Sequence, residues 1–391
     1  MNSTRRSFIT ASAFAAAPFF IKAEKKSGSA LPIVGEGDHT YECIHDWGEL
    51  PAEIKYGNTH SVCEDTQGHI YIHHTVHVNS QSPDSVVVFD SNGKFVRSWG
   101  AMFKGGAHGM QYSKEGKDEF LYLADEKHGL VTKRTLKGEE VWTMGYPQDS
   151  EPYRRIPGKP SPGLPYRPTN IAIAPNGDFW VADGYGSSFM FHYSGKGSYP
   201  KLLNTFGGPP AKASGKAAGQ SELLFNVLSS LYRIQAPGQT AAEPNQGSSA
   251  PIDSMHTPHG TYVDLRDPAH PILLVADRSN NRIVRYTLED KPIDIVDGTR
   301  SPCHFHEHKG VVVVPDLQSR VTLFGKENKV LVHLGDGKGT YPAGVRTTQD
   351  RSNFIPGKFV APHGAIFDHS GNIFIVEYVE IGRVTKLQKI A

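Results

Sequence analysis

A repeat governs what this chain can become. Residues 58–100, 106–145, 166–208, 256–298, 300–337 and 361–388 read as six copies of one unit. Each begins with an apolar strand, turns at a pair such as Asn-Gly or Ser-Gly, and runs into a second strand ending in a motif like Val-Ala-Asp. A loop and further strands follow. Radial repeats of about four strands and roughly 40–50 residues are the mark of a β-propeller. The sixth copy is one strand short. Residues 41–48, Tyr41-Glu-Cys-Ile-His-Asp-Trp-Gly, resemble the outer strand Phe95-Val-Arg-Ser-Trp-Gly of the first copy. An N-terminal strand is therefore expected to complete the last blade, closing the ring and removing its exposed edges. The predicted fold is all-β, a six-bladed propeller over residues 38–391. A two-sheet sandwich is the other all-β solution, but it does not explain the period.

Composition agrees. The 391 residues include 40 Gly and 27 Pro, a turn-rich balance that suits many short strands. Net charge is +1 with acidic and basic residues interspersed. A polyanion needs a basic excess, so no nucleic-acid partner is expected. Cys43, Cys63 and Cys303 show no CxxC spacing, which indicates neither a zinc knuckle nor a disulfide framework; a single Cys43–Cys63 bridge stays open.

Residues 1–30 read as a signal peptide and linker. Ser3-Thr4-Arg5-Arg6-Ser7-Phe8-Ile9 resembles a twin-arginine export signal, and the apolar run Ile9 to Ile21 is too short to span a bilayer comfortably. Cleavage is expected near Ala23. Such signals are addresses for proteins exported already folded. The expectation is a periplasmic or other extracytoplasmic monomer with no stable membrane insertion after cleavage.

Three long connections, 147–165, 209–255 and 338–360, interrupt the repeat. Each links one blade's outer strand to the next blade's inner strand. They should share a face with the loops between second and third strands and form the walls or lid of a binding site. Within the second, Leu224, Val227, Leu228 and Leu231 have helical spacing.

Histidines mark that face. GAHGMQY places His108, TPHGTYVD places His259 and APHGAIFD places His363 at the starts of blades two, four and six. Alternate blades give threefold spacing about the axis. Three imidazoles converging on a channel mouth can hold a metal ion and leave one side open; the glycine after each lets backbone and ligand approach closely. The same residues could instead line the channel and bind water. His60, His74, His304 and His306 are further channel candidates, so the ligand set stays open. Tyr185 and Arg278 follow Val-Ala-Asp in blades three and four, beside the mouth. A tyrosine near a metal ion and an arginine is expected to have a lowered pKa and to serve as a base. An arginine there can clamp a carboxylate.

The copies resemble the NHL family of propeller repeats, most clearly in VADGYGSSFMFHYSGKG (Val181 to Gly197) and VADRSNNRIVRYTLEDK (Val275 to Lys291). Asp183, Asp277 and Arg282 would there close the loop between the second and third strands. VADGYGSS, PHGTYVD with VADRSNNRIVRY, and PHGAIFDHSGNIFIVE also resemble the lyase part of peptidylglycine α-amidating enzymes, with AHGMQY a weaker match. That resemblance implies zinc on His108, His259 and His363, Tyr185 as base, and Arg278 holding charge. The implied reaction cleaves the C–N bond of an α-hydroxyglycine to an amide and glyoxylate. Two departures stand out. Thr75 replaces a second arginine, and Gly364 replaces an aspartate that serves a structural calcium, leaving a Ca2+ site without that ligand. The sequence also carries no copper monooxygenase domain to make a peptidyl hydroxyglycine. The expected partner is thus a small molecule or peptide bearing a carboxylate. The competing functions are a metal-dependent hydrolase or lactonase, and a non-catalytic NHL propeller that binds a peptide, a glycan or a protein.

Overall fold

The computed structural model describes residues 30–155, 163–210 and 250–390. The expected signal segment before residue 30 and the helical spacing at Leu224–Leu231 lie outside the described residues. The described chain forms six antiparallel sheets arranged as a six-bladed β-propeller. The inner strands are Thr59–Glu64, Ala107–Glu115, Asn170–Ile173, Pro258–Asp264, His306–His308 and Pro362–Phe367, for blades one to six. Five sheets run in simple order from inner to outer strand.

The sixth closes the ring with the N-terminal strand. His39–His45 pairs antiparallel with Arg383–Lys389, from Tyr41 opposite Lys389 to His45 opposite Thr385. A hairpin adds a fifth strand, Ile33–Glu36, which begins ahead of the expected start at residue 38. Both chain ends therefore meet in one sheet.

Side chains on the two faces of each blade fill the gaps to its neighbours. Tyr122, Trp142, Phe179 and Phe191 pack blade two on blade three. Tyr41, Val313, Leu323, Ile375 and Leu387 pack five on six, and Ile72, Phe89, Ile366 and Phe374 pack one on six. Each fully buried large side chain contributes about 1.5–3 kcal/mol by leaving water, so the ring is held by its interfaces.

Asp277 and Arg282 do meet: Arg282 Nε donates to Asp277 Oδ2 at 2.7 Å, both side chains fully buried. Arg282 also donates to the carbonyls of Ala250, Pro251 and Ser254. Blade five repeats the device with Asp316 and Arg320 at 2.8 Å. In blade three Asp183 accepts instead from the backbone of Arg167 and from Ser187. Cys43, Cys63 and Cys303 are all free and buried.

Candidate metal centre

The register of the inner strands decides which side chains reach the channel mouth. Thr59 pairs with His74, Ala107 with Asp125, Pro258 with Asp277 and Pro362 with Glu377, while Pro302 bridges Asp316. The residue after each is His60, His108, His259, His363 and Cys303. In the four histidine blades the ladder slips at that point. Such a bulge re-aims a side chain beside a functional site.

The three alternate-blade histidines are held in the same way. Nδ1 of His108 donates to the carbonyl of Thr169 at 2.6 Å, that of His259 to Cys303 at 2.8 Å, and that of His363 to His60 at 2.9 Å. Each acceptor belongs to the next blade. With the proton on Nδ1, every Nε2 keeps its lone pair for the channel, the arrangement metal-binding imidazoles use. The rings converge, with centroids 4.8 Å apart for His108–His259, 4.8 Å for His108–His363 and 4.7 Å for His259–His363. All three are buried. Burial, with the positive charge of Arg278 and neighbouring imidazoles, holds their pKa values well below the usual histidine range. Nε2 of His363 has no hydrogen-bond partner. A buried, unpartnered lone pair is costly unless something binds it, so His363 fits a cation ligand.

The glycines now have a physical reason. A Cβ on Gly109 would lie 2.5 Å from the carbonyl oxygen of Thr169, one on Gly260 2.5 Å from that of Cys303, and one on Gly364 2.7 Å from that of His60. These are the same oxygens that orient the histidines. The close approach is to the neighbouring blade, not to a ligand as expected.

His60 sits in the ring but is held differently. Its centroid is 4.7 Å from His108 and 4.5 Å from His363. Ser61 follows it in place of glycine, and its hydroxyl donates to the carbonyl of His108 at 2.8 Å. Nδ1 of His60 is left without a partner.

Tyr185 and Arg278 stand at the partly exposed side of this ring. The Tyr185 hydroxyl is 3.3 Å from Nε2 of His108 and 3.2 Å from Nε2 of His259, and Arg278 donates to it at 2.8 Å. The expected lowering of the tyrosine pKa is not met by these residues alone. Burial pushes the phenol up to about 12, and Arg278 only offsets part of that. The groups that face Arg278 are the Tyr185 hydroxyl and the Cys303 thiol.

The structure therefore brings together His108, His259, His363, Tyr185, Arg278 and His60. It does not bring the other candidates into the ring. His74 ends blade one's second strand, where its Nδ1 accepts from Val76 N at 3.1 Å. His306 accepts from Phe367 N at 3.2 Å, between blades five and six. His304 follows the ring position. Its Nδ1 donates to the carbonyl of Ala365 at 3.0 Å, and its Nε2 meets Gln111 of blade two across the channel at 3.0 Å. Sequence reading missed Cys303 and Tyr378. Among the described residues two sets of ligand atoms lie within 4.8 Å of one another, His60 with His108 and His363, and His259 with Cys303 and His363; His363 is common to both, and neither joins His108 to His259 as expected. The Tyr378 ring lies 5.4 Å from that of His60 and 6.1 Å from that of His363, with the Arg346 guanidinium 5.1 Å from the Tyr378 ring centre. It follows Glu377 as Arg278 follows Asp277, a signal that was available.

Fold and geometry together define a six-bladed propeller with a histidine-ringed mouth that could bind a metal. No protein-family model matches the chain, and no curated protein matches it. Among solved structures it is similar to a gluconolactonase from Xanthomonas campestris, at 11% identity over 92% of this chain and 96% of that one, with a TM-score of 0.52. A virginiamycin B lyase from Staphylococcus aureus also matches, at 14% identity over 90% of this chain and 100% of that one, with a TM-score of 0.48. The first likeness supports the propeller fold and nothing narrower.

Proposed function

We propose that this chain is a metal-dependent carbon–nitrogen lyase that cleaves a carboxylate-bearing α-hydroxyglycine to an amide and glyoxylate. The observation that carries the reading is one hydroxyl. Tyr185 lies at hydrogen-bond distance from the Nε2 atoms of two of the oriented histidines and accepts from Arg278. The groups proposed as base, cation ligands and carboxylate clamp thus lie within hydrogen-bond reach of one hydroxyl.

His108, His259 and His363 would hold the ion, with zinc the metal the resemblance implies. A bound divalent cation polarises a substrate oxygen. Arg278 pairs with the substrate carboxylate. Tyr185 receives the proton of the carbinol hydroxyl as the C–N bond breaks. The carbinol carbon becomes the aldehyde of glyoxylate, and the nitrogen leaves as the amide after gaining a proton. Positive charge beside Tyr185 favours the phenolate that this step needs.

Export by the twin-arginine route belongs to the same proposal and rests on residues 3–9. No helix among the described residues is long and apolar enough to cross a membrane.

The test is a product assay on zinc-loaded protein with N-acyl-α-hydroxyglycines. Glyoxylate and amide should form in equal amounts, and Tyr185→Phe should abolish both. Lactone opening without glyoxylate would move the protein to the hydrolases. No turnover of either class, with no metal bound, would leave a propeller that only binds.

A further inference from the structure

We propose that Cys303 is a ligand of the metal centre, contributed by blade five. The inference rests on the metal-site reading above and extends it to a mixed nitrogen–sulfur donor set.

Three observations converge on this thiol. The first is register. Pro302 bridges Asp316 as Pro258 pairs with Asp277 and Pro362 with Glu377, so Cys303 occupies in blade five the place that His259 and His363 hold in theirs. The second is proximity. Its Sγ and nitrogen atoms of His259 and His363 all lie within 4.8 Å of one another, and Nε2 of His363 is buried with no partner. The third is fixed position. The Cys303 amide donates to Pro315 O at 2.9 Å, and its carbonyl accepts from Nδ1 of His259 at 2.8 Å. The residue that orients one histidine thus also aims a sulfur at the same cluster.

Its present hydrogen bonds are weak enough to give up. Sγ lies 3.4 Å from Ser301 O and also faces Arg278. Cys63, by contrast, donates to Met110 O at 3.2 Å, and Cys43 lies beside His45 at 3.4 Å, outside the ring. On metal binding the S–H proton passes to solvent and the thiolate sulfur forms the bond. An imidazole–thiolate set takes zinc, cobalt(II) or copper(I) in preference to calcium or magnesium. Cys303 is 1% exposed, and its thiol shares Arg278 with the Tyr185 hydroxyl, so the sulfur stands next to the groups proposed to meet the substrate.

Cobalt(II) reports sulfur ligation directly. Metal-free protein is loaded with Co2+, bound metal is counted, and near-ultraviolet absorption is recorded for the parent, Cys303→Ser, Cys43→Ser and Cys63→Ser. The expected result is one Co2+ per chain with a thiolate-to-cobalt charge-transfer band, kept in the Cys43 and Cys63 variants and lost in Cys303→Ser. One bound Co2+ with no such band in the parent, or a band that survives Cys303→Ser, overturns the inference and leaves the histidine site standing. No bound Co2+ in the parent overturns the inference together with the metal-site reading. The parent spectrum decides the matter even if Cys303→Ser fails to fold.

Discussion

Gly260 packs its α-carbon against the carbonyl of Cys303 so closely that a Cβ would lie 2.5 Å from that oxygen. The same oxygen accepts from Nδ1 of His259 at 2.8 Å. A methyl group there must push blade five away or turn the imidazole. Gly260→Ala should therefore lower stability by about 1–3 kcal/mol, the usual cost of overpacking, and weaken metal binding as well. Urea denaturation and metal titration of the purified variant check both. Unchanged metal affinity would count against the carbonyl's orienting role.

Tyr185→Phe keeps the ring and removes the hydroxyl that joins His108, His259 and Arg278. If the hydroxyl is the base, turnover should fall by about 10²–10⁴-fold while the unfolding midpoint stays close to the parent's. Steady-state rates beside a denaturation curve separate loss of chemistry from loss of fold. Retained turnover would remove Tyr185 from the mechanism.

His73 and His74 set a pH dependence of stability. Both are fully buried, and burial pushes each pKa down to about 3 from 6.5. The folded state keeps them neutral while the unfolded chain takes up protons below its own pKa. Stability is therefore full above the unfolded value and falls as pH drops from 6.5 toward 3. Each ring should cost about 1.4 kcal/mol per pH unit in that window, or about 2 kcal/mol by about pH 5. His73 meets Phe103 edge-on at 5.9 Å and neither of its ring nitrogens has a partner, so His73→Phe should reduce the acid loss. Urea midpoints at about pH 7.5 and about pH 5 test this, and an acid loss equal to the parent's would contradict it.

Arg282→Met should be among the most damaging changes away from the mouth. It leaves Asp277 buried without its charged partner and removes the donors to the carbonyls of Pro251 and Ser254. Breaking a buried pair from one side costs about 3–5 kcal/mol. A shift in the unfolding midpoint worth less than about 1 kcal/mol would show that water reaches the pair.

Most of the ring was legible because it is written in short local patterns. Pro-His-Gly at Pro258 and Pro362 announces both the strand start and the glycine that a neighbouring carbonyl demands. The closing strand was legible because residues 41–48 carry the outer-strand pattern. Cys303 was not, because Ser301-Pro-Cys-His offers a histidine one residue later. Only the bridge from Pro302 to Asp316 shows which of the two faces the mouth. Pairing across a sheet is a long-range property that a local pattern does not carry. The balance at Tyr185 was not legible for a similar reason: it depends on how deeply the phenol is buried, and among the protein groups alone burial outweighs the nearby guanidinium.

Gln111 and His304 join hands from opposite blades beneath the histidines. That contact ties blade two to blade five straight across the axis, so the ring is braced through its centre as well as around its rim.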